Sequence, residues 1–197
     1  MKTKLVIYQV FTRTFGNKNL TKKENGTLAE NGVGKMNDFD EEVLRRIHDF
    51  GVTHLWYTGV IRHATCTDYS AFGIPTQNPH VVKGRAGSPY AITDYYDIDP
   101  DIAVDVDARM AEFEALVSRT HAEGMKIIID FVPNHVARQY KSIAKPEGVE
   151  DLGESDDTSK HFDAQNNFYY CPNEKLDLSG VVENSYAHDA EAYYEFP

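Results

Sequence analysis

Residues 126–136 read KIIIDFVPNHV. Ile127, Ile128 and Ile129 are β-branched and uninterrupted, the pattern of a strand covered on both faces, as parallel strands are. Pro133 has no N–H to give to a ladder, so the strand is expected to stop near Val132 and leave Asn134 and His135 on the loop that follows. Asp130, Asn134 and His135 are thereby gathered at the carboxyl end of a parallel strand, where α/β proteins usually place their chemistry.

Working outward, residues 106–124 (VDARMAEFEALVSRTHAEG) predict the helix that leads into this strand. Asp105 is its expected cap, Val106, Met110, Phe113 and Val117 its buried stripe, and Gly124 its end. Residues 37–51 (NDFDEEVLRRIHDFG) predict an earlier helix, capped by Asp38 or Asp40, with acids in the first turn and Gly51 at the close. Val43, Ile47 and Phe50, supported by Leu44, form its apolar stripe. Strands are expected at 5–11 and 52–60. Strand, helix, strand at this spacing is a βα unit and implies a parallel sheet.

Between these elements the chain reads as irregular. Residues 16–35 are polar and rich in Gly and Asn, hence a loop. Gly32 to Lys35 has the wrong glycine spacing for a phosphate loop and reads as flexible chain. Residues 61–104 form one long connection, of the kind that usually carries function. Beyond Val136 the period dissolves: the acids from Glu147 to Asp157 read as a solvated loop, and residues 167–178 as room for a short strand or two.

Composition narrows the class. The chain has 197 residues, of which 41% are hydrophobic, enough for a sizeable core. A net charge of −11 argues against nucleic acid or an anionic membrane as the main partner. Cys66 and Cys171 lack metal or disulfide spacing and read as free thiols. The amino-terminal apolar run is short, is broken by Gln9 and lacks a small-residue cleavage site, so it reads as a first strand, with a cytoplasmic location expected. No run approaches the ~20 apolar residues of a membrane span. Asn19-Leu-Thr21 and Asn25-Gly-Thr27 fit the glycosylation pattern, which matters only in a secretory pathway.

The assembled order resembles the α-amylase family of glycoside hydrolases. IYQVFTRTF is similar to that family's first barrel strand, DFGVTHLWYTGV to its second, and GMKIIIDFVPNHV to its third strand with the first signature motif. SPYAITDYYDIDP is similar to the loop carrying a Tyr that stacks on sugar, although Ser88-Pro89 stands where a glycine commonly precedes that Tyr. The resemblance implies a (β/α)8 TIM barrel, with residues 1–136 as its first part and three of its strands. Residues 137–197 are then the start of the irregular domain inserted between strand three and helix three.

It also implies a retaining reaction at α-glucosidic bonds, which needs two carboxyl groups ~5–5.5 Å apart. The implied Asp, Glu and Asp follow strands four, five and seven, which this sequence does not show. An eight-stranded barrel takes about 250 residues, so the chain is expected to be the amino-terminal part of a longer enzyme and inactive alone.

The implied site comprises His135 donating to a sugar hydroxyl, Tyr90 offering a ring face, and Asp130 ordering the barrel mouth, with Asn134 as a Ca²⁺ ligand. From the residues alone, Asp130 and Asn134 read equally as structural groups. Asp94 and Asp97 read as steadying the Tyr90 loop or as solvated acids, and Trp56 as barrel packing. The partners implied are an α-glucan or oligosaccharide and the remainder of the barrel. The alternatives are an amylase-like binding or ancillary protein without catalysis, and an unrelated parallel α/β enzyme.

Overall fold

The computed structural model describes residues 4–174. Its centre is a three-stranded parallel sheet in the order β1 (Ile7–Phe11), β2 (His54–Thr58), β5 (Lys126–Ile129). The register sets Phe11 beside Thr58 and Tyr57 beside Ile129, so the three strands finish side by side. Parallel neighbours require crossover connections, and the two here are helical. α2 (Glu41–Asp49) lies between β1 and β2, and α3 (Arg109–Ala122) precedes β5.

Both helices pack on the sheet face that carries Val10, Leu55 and Tyr57. Leu44 of α2 and Leu116 of α3 are fully buried there, each burial stabilising by roughly 1.5–3 kcal/mol. The Phe39 ring meets Tyr57 edge-on with centroids 4.9 Å apart, and Phe15 stacks on Phe39 at 4.2 Å. The Tyr57 hydroxyl is satisfied by Thr120 Oγ1 at 2.8 Å, so α3 contributes a polar contact inside an otherwise apolar layer.

Several expectations need correction. The third barrel strand ends at Ile129, three residues before Val132, and Ile129 is exposed because β5 is an edge strand here. α3 buries Leu116 and Thr120; Phe113 of the expected stripe packs half-buried beside them, whereas Met110 of that stripe is exposed. Asp105 does not cap α3; the Glu112 carboxylate reaches back to the N–H groups of Val104 and Asp105, at 2.9 and 2.7 Å. Asp40 does cap α2, accepting from the Val43 N–H at 2.8 Å, but Phe50 lies outside the buried stripe, 90% exposed.

Two supposed loops are structured. Residues 27–31 form a capped turn, α1 (Leu28–Asn31), closed by a Thr27/Glu30 capping box. Lys35 is pinned by the carbonyls of Asp101 and Ala103 at 2.7 and 2.8 Å, and Met36 beside it is in the core. The long connection after β2 holds an antiparallel pair, β3 (Ile61–His63) and β4 (Ile92–Ile98), with an irregular register. After β5 the described chain to Glu174 has no helix or strand, and the expected strand at 167–178 is absent from its described part. The segment nevertheless runs beside β4, with Ala137 N–H on the Ile92 carbonyl and Lys141 N–H on that of Thr93.

Candidate functional site at the strand ends

The residues singled out in the sequence all fall where the parallel strands finish. Gly59 follows β2 with φ +76; a Cβ there would sit 3.0 Å from the Phe11 ring and 3.2 Å from Pro89. That close approach lets the Ser88–Pro89–Tyr90 turn settle on the ends of β1 and β2. Gly87 absorbs the tightest contact of the same turn, where a Cβ would lie 1.7 Å from the Ala64 carbonyl oxygen. Tyr90 itself is 42% exposed, with its N–H on Ser88 Oγ at 3.3 Å. Its ring is therefore available as a flat apolar face.

Asp130 stands one residue past β5. Its Oδ1 accepts from the Trp56 indole N–H at 2.9 Å, while Oδ2 is buried with no hydrogen-bond partner among the described residues. Trp56 thus makes a polar contact to the site in addition to any packing.

Asn134 and His135 follow Pro133 and are exposed. The Asn134 side-chain amide nitrogen lies 2.5 Å from His135 Nδ1. An amide N–H only donates, so Nδ1 is the acceptor of this contact. Tyr95, from β4, braces this loop: its hydroxyl donates to the Val132 carbonyl and lies 3.4 Å from that of His135. Burial raises the Tyr95 phenol pKa, which keeps it a donor. Nothing in the sequence distinguished Tyr95 from its neighbour Tyr96.

A cavity of about 590 Å³ opens beside the loop, lined by Asn134, His135, Tyr95 and Phe131 on one side and by Glu150 and Asp151 on the other. Tyr90 and Asp130 do not line it, so the structure unites Asn134 with His135 and places the other two at neighbouring strand ends. The acidic stretch is accordingly not all solvated. Burial pushes the Asp151 carboxyl up, but N–H groups of Ser142 and Leu152 at 2.9 and 3.0 Å hold it below its usual range.

For Ca²⁺ the donor set is partial. Asn134 offers one neutral oxygen, and the Glu150 and Asp151 carboxylates line the same cavity. Among the described residues, however, no group of three or more His, Cys, Asp or Glu is placed to hold a metal.

Behind the turn lies a buried charge network. Asp94 and Asp97 are buried with Arg62 between them, at 3.2 Å from each. Arg109 closes on Asp97 at 2.6 Å, and Arg13 pairs with Asp101. Asp94 also accepts N–H groups of Tyr96, Ile143 and Ala144. Its role is therefore to fasten the segment after His135 to β4. Cys66 and Cys171 are free thiols, as expected.

Residues 9–184 match the alpha-amylase catalytic-domain family. The chain is similar to Maltase 1 of Drosophila virilis, 28% identical over 151 residues that cover 75% of this chain and 18% of that protein. It is also similar to the cyclomaltodextrin glucanotransferase of Bacillus sp. (strain 6.6.3), 26% identical with coverage of 96% and 22%. An alpha-amylase structure from Lactobacillus plantarum is 29% identical, covers 71% of this chain and 24% of that one, and gives a TM-score of 0.47. The chain therefore spans about a fifth of the length of these curated relatives. With the family's match running from β1 past the strand-end loop, the three parallel strands are the start of a TIM barrel, and the chain belongs to the alpha-amylase catalytic-domain family.

Proposed function

We propose that the chain is the amino-terminal part of a retaining glycoside hydrolase acting on α-glucosidic bonds of starch-like glucans or oligosaccharides. The observation that supports this most is the loop after β5, where Asn134 engages His135 at Nδ1 and leaves Nε2 of the exposed ring for a sugar hydroxyl. Tyr90 supplies an exposed ring face at the adjoining strand ends. A Ca²⁺ ion held through Asn134, in a cavity that the Glu150 and Asp151 carboxylates also line, belongs to the same proposal.

The test is made on the full-length protein with maltooligosaccharides and starch, following the anomer first released by proton NMR. Release of the α-anomer from an α-bond is the expected result. Binding of maltooligosaccharide without any cleavage would overturn the reading and leave a carbohydrate-binding ancillary protein. The 197-residue chain alone is expected to cleave nothing.

A further inference from the structure

The inner face of the parallel sheet carries two hydrogen bonds of one design. Gln9, Trp56 and Ile128 share a register position, and side chains two residues apart along a strand share a face. Gln9 on β1 donates its Nε2–H to Thr58 Oγ1, two residues beyond its own partner on β2, at 2.8 Å. Trp56 on β2 donates its Nε1–H to Asp130 Oδ1, two residues beyond its own partner on β5, at 2.9 Å. Each bond runs diagonally to the next strand and toward its carboxyl end. The second one finishes at the aspartate that opens the site loop.

An aspartate just past the end of a strand has two χ angles and no ladder to fix it. One oxygen tied to a rigid indole fixes both angles, and leaves Oδ2 aimed from a buried position with no partner among the described residues. Trp56 is itself only half-buried, so its placement answers to this bond as well as to packing.

We infer that Trp56 is a positioning residue: its indole N–H holds the Asp130 carboxylate in place at the head of the site loop, with Oδ2 buried and without a partner among the described residues. This rests on the proposed hydrolase reading for the meaning of the site, though not for the bond. The sequence offered no sign of it, because a single Trp in a barrel strand reads as packing.

The experiment has two arms. In the labelled full-length protein, the indole N–H resonance of Trp56 is identified by its loss in Trp56→Phe. That resonance is expected downfield and slow to exchange, and Asp130→Ala should move it upfield and speed its exchange. An unmoved resonance overturns the bond and the proposal. In the full-length enzyme, Trp56→Phe keeps the ring and removes the donor. With an unchanged melting temperature, it should lower kcat on the order of tenfold while KM moves less than about twofold. The double variant with Asp130→Ala should lose no more than Asp130→Ala alone. A parental kcat in Trp56→Phe, or losses that multiply, would reduce Trp56 to packing. If the resonance moves in a protein that cleaves no α-glucoside, the hydrolase reading fails and takes the positioning role with it, while the bond stands.

Discussion

Removing the Asp94 carboxylate should unfasten the segment that follows the site loop, and the structure gives a magnitude. Asp94 is fully buried. Its Oδ2 takes Arg62 at 3.2 Å and the N–H groups of Ile143 and Ala144 at 2.7 and 3.0 Å, while Oδ1 takes the Tyr96 N–H at 2.8 Å. Breaking a buried ion pair from one side costs about 3–5 kcal/mol, because the remaining charge stays buried. Arg62 keeps Asp97 at 3.2 Å and the Lys141 carbonyl at 2.9 Å, which places the charge contribution at the low end, about 3 kcal/mol. The orphaned N–H groups each add about 1 kcal/mol where water does not reach them. With three such N–H groups, a total of about 4–6 kcal/mol is expected for Asp94→Ala, the upper figure where water reaches none of them, near the upper limit for a single substitution.

Urea unfolding followed by circular dichroism measures this directly, and the midpoint temperature should fall by roughly 10 °C or more in a chain of this size. Asp94→Asn keeps the volume and one acceptor and should cost about half as much. Proteolysis should locate the effect, with new cleavage between Lys141 and Asp151 before any in β1 or α2. A loss below about 1 kcal/mol, or cleavage that spares this segment, would refute the fastening role.

Other outcomes follow from the same contacts. His63 and Asp99 form a buried pair at 2.7 Å: burial pushes the imidazole down, but Asp99 more than offsets it and leaves His63 above 6.5, while His63 holds Asp99 below 3.8. A raised His stabilises below its unfolded value and a depressed Asp above its own, so this pair's contribution is complete between 3.8 and 6.5. It is lost as pH rises through the folded His63 value or falls through that of Asp99, and His63→Ala should flatten both edges of the stability–pH curve. In the full-length enzyme, Tyr90→Phe should leave kcat/KM nearly intact, whereas Tyr90→Ala should lower it by about tenfold, the loss of one ring face. His135→Ala should reduce kcat more than it raises KM, by about 3 kcal/mol of transition-state stabilisation; parental kinetics would remove both residues from the site. Chelation should lower the melting temperature of the parent and leave that of Asn134→Ala unmoved; equal melts would remove calcium from the account.

What was legible in the sequence follows from what periodicity can carry. Three β-branched or aromatic runs and two amphipathic helices sufficed for the parallel sheet, because parallel strands and their helices bury apolar residues at a fixed period. The α3 stripe was legible at Phe113 but missed Thr120, a polar residue satisfied by Tyr57, which an apolar count passes over. The β3–β4 pair was hidden for a related reason. Its buried positions include Arg62, His63, Asp94 and Asp97, so a strand pair held by internal charge reads as an exposed loop. The α1 turn was within reach, because Thr27-Leu-Ala-Glu30 is a capping-box spacing.

The same reasoning explains which groups of the candidate site the sequence could show. Asp130, Asn134 and His135 announce themselves as polar residues closing an apolar strand, whereas Tyr95 and Trp56 act through one hydroxyl and one indole N–H attached to rings that look like packing. In both cases the aromatic body satisfies the hydrophobic pattern while its polar tip holds a site loop or a site carboxylate. Such groups lie on other strands, Trp56 on β2 of the parallel sheet and Tyr95 on β4 of the separate pair, so sequence separation conceals them: 74 residues part Trp56 from Asp130 and 40 part Tyr95 from His135. The polar corner of this barrel is therefore built by the neighbouring strands as much as by the motif that marks it. A substitution that keeps the motif intact can still misplace it.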